Sequence, residues 1–337
     1  MNINEIRDLP HSKYVDIIEN EQKTKVTIVI NRPIDNMQTD MANFEALAIM
    51  CKCIRPNINV IIKFNEYEEW HKEFGNLSSK SSIYLRFLFR VVTFKEAFCD
   101  WVEISKDNLK EIEYFNNILQ GAFKSKKVSN NIPMRKSNYN SEKGEEHQLE
   151  NKFTKTSKGL NYLKKIYKES FNDDLLFAFN QLPNGLFNIF SNEKASENNR
   201  IFTTGFYDIW GLDKKGKLCI FELKKDKGNS HLGIISELLF YAIYAKKVLC
   251  DKNFIHEKKK NLNYRGYELL YDNVINNKIT GINAIFLLGQ DIYSGIKERE
   301  KDILKLLDTN NFGIRFGIIN YDIDILNNIS ESEIKSI

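Results

Sequence analysis

Cysteine is scarce in this sequence, with five in 337 residues. An odd number of thiols in a long chain suits a reducing cytoplasm better than a disulfide framework. Two of the cysteines, Cys51 and Cys53, lie in a helical pattern without a second cysteine or histidine pair at zinc-ligand spacing. We therefore expect small core residues at these two positions and no zinc site.

Long apolar runs are also absent. No run approaches the roughly 18 residues that a membrane-spanning helix needs, and the opening residues MNINEIRDLP are polar and mixed in charge, unlike a signal peptide. The sequence has no Gly-rich phosphate loop, GxSxG elbow or HExxH motif, which excludes P-loop NTPases, α/β-hydrolases and zincins at the level of motifs. We expect a cytoplasmic protein with no membrane partner.

The composition is that of a folded protein. Hydrophobic residues make up 42% of the chain and aromatic residues 12%, which excludes wholesale disorder. The formal net charge of +4 neither demands nor forbids a polyanionic partner. The length exceeds the usual size of one domain, so two domains are expected.

Residues 1–122 have the pattern of a smaller α/β module. The β-branched runs at 25–32 and 59–64 predict strands, and the amphipathic segment between them predicts a helix, which together form a βαβ unit. Residues 83–94 are apolar and fit either a helix or a strand, whereas 106–120 are helical in pattern. We expect this module to recognise nucleic acid, a partner or a signal.

Residues 123–143 change in composition and predict a basic linker between domains. The linker is either a solvated tether or a contact surface for nucleic-acid phosphates. The residues that would make such contacts are Lys124, Lys126, Lys127, Arg135 and Lys136.

Residues 144–337 predict a second α/β domain with a mixed sheet and helices on both faces. Helices are expected at 145–168, 232–250 and 296–308. Strands are expected at 175–181, 185–190, 206–212, 217–224, 282–289 and 312–320.

Three charged residues of this second domain fall on two neighbouring predicted strands. Asp208 begins one strand, and Glu222 and Lys224 lie two residues apart near the end of the next. The period of two in a strand places Glu222 and Lys224 on one face of the sheet, with Leu223 on the other. Two carboxylates converging on one face are costly unless a cation binds, and Mg²⁺ accepts one or two protein carboxylates while keeping sites for water and phosphate.

The spacing of thirteen residues between Asp208 and Glu222, followed by Leu223 and Lys224, resembles the signature of the PD-(D/E)XK nuclease superfamily. The resemblance covers roughly residues 144–290 and implies a restriction-endonuclease-like fold. It also implies that Asp208, Glu222 and the backbone carbonyl of Leu223 hold Mg²⁺ or Mn²⁺, while Lys224 assists the attacking water. Tyr207 departs from the pattern, since it stands where the signature has proline.

The flanking predicted helices contain further candidates for the same site. Glu237 and Tyr241, four residues apart, resemble the Gln-x-x-x-Tyr element of several nuclease families, although a core tyrosine and a structural glutamate fit the same pattern. Glu146 resembles the glutamate of the superfamily's first helix, with Glu150 as the second choice, and a favourable helix dipole also explains acidic residues there.

The resemblance implies a metal-dependent endonuclease that cleaves DNA, ahead of RNA, in prokaryotic restriction, phage defence or repair. Two alternatives stay open: an effector nuclease gated by a ligand on the N-terminal module, and a non-catalytic nucleic-acid-binding module on the same fold. A homodimer is compatible with the sequence, which does not determine the oligomeric state. His147 and His231 have no matching partners, so we expect surface or capping residues there.

Overall fold

A computed structural model describes residues 5–9, 14–34, 43–71, 78–124, 128–129, 144–188, 200–225, 232–251, 264–289 and 294–330. The fold is mixed α/β, as the sequence predicts. In these ranges, no helix combines the length and the apolar character that crossing a bilayer requires.

Twelve strands and nine α-helices are found in the described part of the chain. The strands are β1 (Val15–Glu19), β2 (Lys25–Ile30), β3 (Asn59–Phe64), β4 (Val102–Ile104), β5 (Val128–Ser129), β6 (Leu175–Pro183), β7 (Leu186–Asn188), β8 (Arg200–Phe202), β9 (Phe206–Asp213), β10 (Lys217–Lys224), β11 (Gly281–Gly289) and β12 (Ile314–Tyr321). The helices are α1 (Phe44–Ile54), α2 (Ser79–Ala97), α3 (Leu109–Lys124), α4 (Glu145–Lys155), α5 (Ser157–Phe171), α6 (Gly233–Tyr244), α7 (Tyr267–Ile275), α8 (Ser294–Leu307) and α9 (Ile323–Asn327).

The largest sheet has five strands in the order β12-β11-β10-β9-β6. β10, β11 and β12 run parallel, and β9 is antiparallel to both of its neighbours, β10 and β6. The sheet is covered on both faces, so alternate residues of β10 enter different cores. Leu218 and Ile220 pack on the face with α6, α7 and α8, whereas Cys219, Phe221 and Leu223 pack on the face with α4, α5 and α9.

Helix α6 is buried along almost its whole length, and most of its residues are apolar. It packs on β10 and β11 and also on α1 of the N-terminal part, and every residue from Ile234 to Tyr244 is buried. The Ser236 hydroxyl oxygen accepts a hydrogen bond of 3.1 Å from the backbone N–H of Ala46, which fixes α1 against α6. After Tyr244 the helix widens into a π-helical segment, Ala245–Cys250.

The N-terminal strands form a second mixed sheet in the order β1-β2-β3-β4. Its helices α1 and α2 share one continuous hydrophobic core with α6, α7 and α8. The Phe89 ring on α2, for example, contacts Phe202 at 5.1 Å and Phe240 at 6.3 Å between centroids. The division of the chain into two domains stays a prediction, but the N-terminal sheet with its helices packs directly against the elements of the C-terminal part.

Several predicted elements differ from the observed ones. The helix predicted over 145–168 is two helices, because Thr156 has an extended backbone and its hydroxyl oxygen caps α5 by accepting from the N–H of Gly159. The predicted linker includes β5, which pairs with β7. The ambiguous segment 83–94 is helical, within α2, and β1 and α7 were not predicted. Cys51 is buried on α1 and Cys53 packs against the core, as predicted.

Candidate active site

The hairpin of β9 and β10 places the two predicted carboxylates side by side. The paired register runs to Ile209 opposite Phe221, so that the next pair is Asp208 opposite Glu222. At this end of the hairpin a side chain also bonds to the neighbouring strand: the Asp208 Oδ2 atom accepts a hydrogen bond of 2.9 Å from the backbone N–H of Leu223. Because the Leu223 side chain belongs to the core on the other face, Glu222 and Lys224 point to the α6 side, as the period of two predicts.

Lys224 joins the carboxylates at the end of β10. Its Nζ atom donates to Glu222 Oε1 at 2.8 Å and lies 3.7 Å from Oε2 of Glu237 on α6. The Glu222 side chain is only 2% exposed, and its Oε2 atom is buried with no hydrogen-bond partner within the described ranges. A buried carboxylate oxygen without a donor is costly, and a bound cation would satisfy it.

These residues line a cavity of about 250 Å³ at the carboxyl end of β10. Two helices of the second domain, α4 and α6, contribute to it together with the sheet. The lining residues are Arg86, Glu146, Gln181, Thr204, Gly205, Phe206, Asp208, Glu222, Lys224, Glu237 and Tyr241. All six residues predicted as catalytic are therefore present in one cavity.

Glu146 and Glu150 take different positions on α4. Glu146 lines the cavity, whereas Glu150 is buried one turn further along and accepts a hydrogen bond of 2.7 Å from Nε2 of Gln181. His147, expected as a surface or capping residue, is partly buried: its side chain is 14% exposed and its Nδ1 atom lies 3.3 Å from Glu150. It lies on α4, which packs on the sheet. His231 lies outside the described residues.

Tyr241 packs against the loop that precedes Asp208. A Cβ atom on Gly205 would lie 3.2 Å from the Tyr241 ring and 2.9 Å from the Asn184 side chain, so glycine permits this close approach. The Gly205 N–H donates to Asn184 Oδ1 at 2.9 Å, which fixes the loop. Tyr241 is 4% exposed and contacts Tyr207 edge-on at 5.4 Å between centroids. It is therefore both a core aromatic residue and part of the cavity wall.

Five residues of the cavity were not predicted as site residues, namely Arg86, Gln181, Thr204, Gly205 and Phe206. Gln181 interrupts β6 opposite Asp208 with a left-handed backbone, at a φ of 56°, and such strain in a non-glycine residue is concentrated at functional sites. Arg86 comes from α2 of the N-terminal part and is 5% exposed. Its sequence signal is a pair of arginines, Arg86 and Arg90, one helical turn apart in an otherwise apolar run.

Burial and mutual repulsion disfavour the charged carboxylates. The pKa of Asp208 is raised to about 8, mainly by burial, with contributions from Glu150 and Glu237 that Lys224 opposes. The pKa of Glu222 is raised well above its ordinary value by burial and then by Asp208 and Glu237.

Burial and the neighbouring carboxylates also act on the pKa of Lys224, with opposite effects on its charged form. Burial lowers the pKa of Lys224, but the carboxylates of Glu222, Glu237, Asp208 and Glu146 together outweigh it and raise the pKa well above the ordinary value. The neighbouring carboxylates thus favour the protonated form of Lys224.

The charge of the cavity fits a divalent cation. Its wall has four carboxyl groups, Glu146, Asp208, Glu222 and Glu237, and two cationic side chains, Lys224 and Arg86. With all four acids ionised, as a bound cation would favour, the carboxylates exceed the cationic side chains by two. In the part of the chain that the structure describes, no group of three or more His, Cys, Asp or Glu side chains is arranged as a metal cluster. Two carboxylates and a backbone carbonyl nevertheless suffice for Mg²⁺, which retains several waters.

The linker residues predicted to contact phosphates have no described side chains. Lys126, Lys127, Arg135 and Lys136 lie outside the described residues, and Lys124 ends α3 with a side chain that is not described.

Comparison of the whole chain with protein-family models, curated proteins and solved structures finds no match. The functional assignment therefore depends on the geometry of the site and on the resemblance of its sequence motif.

Proposed function

We propose that this protein is a metal-dependent nuclease with a restriction-endonuclease-like catalytic domain. The observation that carries the proposal is the pairing of Asp208 with Glu222 on adjacent strands, with Lys224 on the same face and one Glu222 oxygen without a hydrogen-bond donor. The parallel β10-α6-β11-α8-β12 arrangement beside an antiparallel β9 supports the same assignment.

Asp208, Glu222 and the backbone carbonyl of Leu223 would hold Mg²⁺ or Mn²⁺. The cation supplies positive charge to the phosphoryl oxygens and makes the attacking water more acidic. The carboxylates of this chain position it, and the Leu223 N–H holds Asp208 in place through its Oδ2 atom.

Lys224 acts as a charged donor in this scheme. In its protonated form, which the neighbouring carboxylates favour, it would orient the attacking water and stabilise negative charge on the phosphate. Glu237, 3.7 Å from Nζ, restricts where the ammonium can go. A phosphodiester is the substrate class that this combination of cation site and ammonium fits, and DNA is placed ahead of RNA on the family resemblance.

Removal of the metal tests the proposal. Purified protein is incubated with supercoiled plasmid, circular single-stranded DNA or RNA in Mg²⁺ or Mn²⁺, and with EDTA in a parallel set. We expect cleavage of at least one nucleic acid with a divalent cation and none with EDTA, because the carboxylates do not supply the positive charge that hydrolysis needs. Cleavage that is unaffected by EDTA, or binding without cleavage of any of these substrates, would contradict the proposal.

A further inference from the structure

Phe206 is an exposed aromatic residue at the cavity. It begins β9 two residues before Asp208, is 38% exposed and lines the cavity wall. The rest of β9 is buried or partly buried, so Phe206 marks where the strand leaves the core. The exposed part of this ring lies at the cavity, where a ligand that enters can contact it.

Arg265 contacts the same ring. Its guanidinium carbon lies 5.6 Å from the centroid of Phe206, within the range of a cation–π contact. The arginine is held at both ends: its Nη1 donates to the backbone carbonyl of Gln181 at 2.5 Å, and its own carbonyl accepts from the indole N–H of Trp210 at 2.9 Å. Arg265 has a φ of 57°, in the left-handed region, so the pair is a preorganised feature maintained against local backbone strain.

The depth of the carboxylates determines what can reach them. Because Glu222 is 2% exposed, a phosphate must enter the cavity to approach it, and Phe206 lies on the wall of that same cavity. A base inside a duplex is already stacked on both faces, whereas an unpaired base has a free face for an aromatic ring.

We propose that Phe206, held beside Arg265, forms a stacking surface for an unpaired nucleobase next to the scissile phosphate. The substrate would then be single-stranded or locally unpaired nucleic acid. This inference rests on the proposed nuclease function and specifies its substrate class.

Equilibrium binding tests the stacking surface without requiring cleavage. Fluorescein-labelled oligothymidine and a duplex of equal length are titrated with protein in Ca²⁺, and anisotropy gives Kd for the wild type and for Phe206→Ala, Phe206→Trp and Leu176→Ala. Leu176 is the matched control, since it is 44% exposed on β6 and does not line the cavity.

We expect the wild type to bind the single strand more tightly than the duplex. Phe206→Ala should weaken single-strand binding by about 5- to 150-fold, the loss of one stacked base, while Phe206→Trp and Leu176→Ala retain it. Equal Kd values for Phe206→Ala and Leu176→Ala, or an equal loss of affinity for the duplex in Phe206→Ala, would overturn the stacking surface.

The nuclease proposal is tested separately. It would still stand if the wild type cleaves with Mn²⁺, whereas Phe206-dependent binding by a protein that never cleaves would overturn it.

Discussion

Asp208→Asn and Glu222→Gln should each reduce metal-dependent cleavage by about 10³-fold or more, because a cation that loses a carboxylate ligand supplies several kcal/mol less stabilisation to the transition state. The metal-free variants should nevertheless be at least as stable as the wild type. Each acid has a folded-state pKa above its ordinary value, so at any pH above the ordinary value the unfolded chain, where the acid ionises freely, gains stability relative to the folded state, a penalty that the amide does not incur. We expect the free energy of unfolding in EDTA, measured by urea denaturation, to be unchanged or higher by up to about 2 kcal/mol.

Asp213→Asn is the matched control for the expected loss of cleavage without a loss of stability. Asp213 is a buried acid at the other end of β9, where it accepts hydrogen bonds from the Tyr167 hydroxyl at 2.9 Å and from the backbone N–H of Lys217 at 2.7 Å. Its loss should lower stability, since the lost acceptor leaves donors unpaired, but the folded fraction should cleave at the wild-type rate. If Asp208→Asn instead lost stability and activity together, Asp208 would be a structural acid like Asp213.

Arg86→Met should reduce kcat/KM by about 10²-fold, the usual effect of removing one donor that stabilises charge on the reacting group. Arg86 extends from α2 into the cavity, where Tyr241 and Glu237 lie close enough to affect its pKa. Burial and then the neighbouring Arg90 lower the pKa of Arg86 to about 10, so it still carries its positive charge at neutral pH. The N-terminal part would thereby supply a phosphate-binding cation to the catalytic site.

The companion variants separate this role from a role in folding. Arg86→Lys keeps the charge and should recover part of the activity, and Lys80→Met removes an exposed charge from the same helix and should change nothing. Arg90→Met should instead destabilise the protein by about 3–5 kcal/mol, because it leaves Glu45, a buried partner at 2.7 Å from the Arg90 Nε, without its counter-ion. Wild-type kcat/KM in Arg86→Met would show that the arginine only packs against the cavity wall.

The local part of the site was predictable from the sequence. A strand period of two and a short turn are sufficient to place Asp208 beside Glu222 and to orient Lys224, because all three lie on one hairpin. The helical spacing of Glu237 and Tyr241 likewise predicts that they share a face. These relations need no knowledge of how distant elements pack.

The residues that the sequence did not reveal depend on long-range packing. Arg86 reaches the cavity only because α2 docks on β8 and the core around α6, a contact between residues far apart in the chain. His147 is partly buried because α4 lies on the sheet. Gln181 has an ordinary strand neighbourhood in sequence, and nothing there signals its left-handed backbone between the paired residues Asn180 and Leu182 of β6.

The proposed chemistry requires a divalent cation between Asp208 and Glu222, and anomalous diffraction from crystals grown with MnCl₂ measures this directly. We expect a manganese peak in the cavity within about 2.0–2.3 Å of a carboxylate oxygen of each residue, the usual length of such metal–oxygen bonds, and no peak in crystals of Glu222→Gln. A cavity without manganese at millimolar MnCl₂, or a peak that persists unchanged in Glu222→Gln, would contradict the assignment of this site as a metal-dependent nuclease centre.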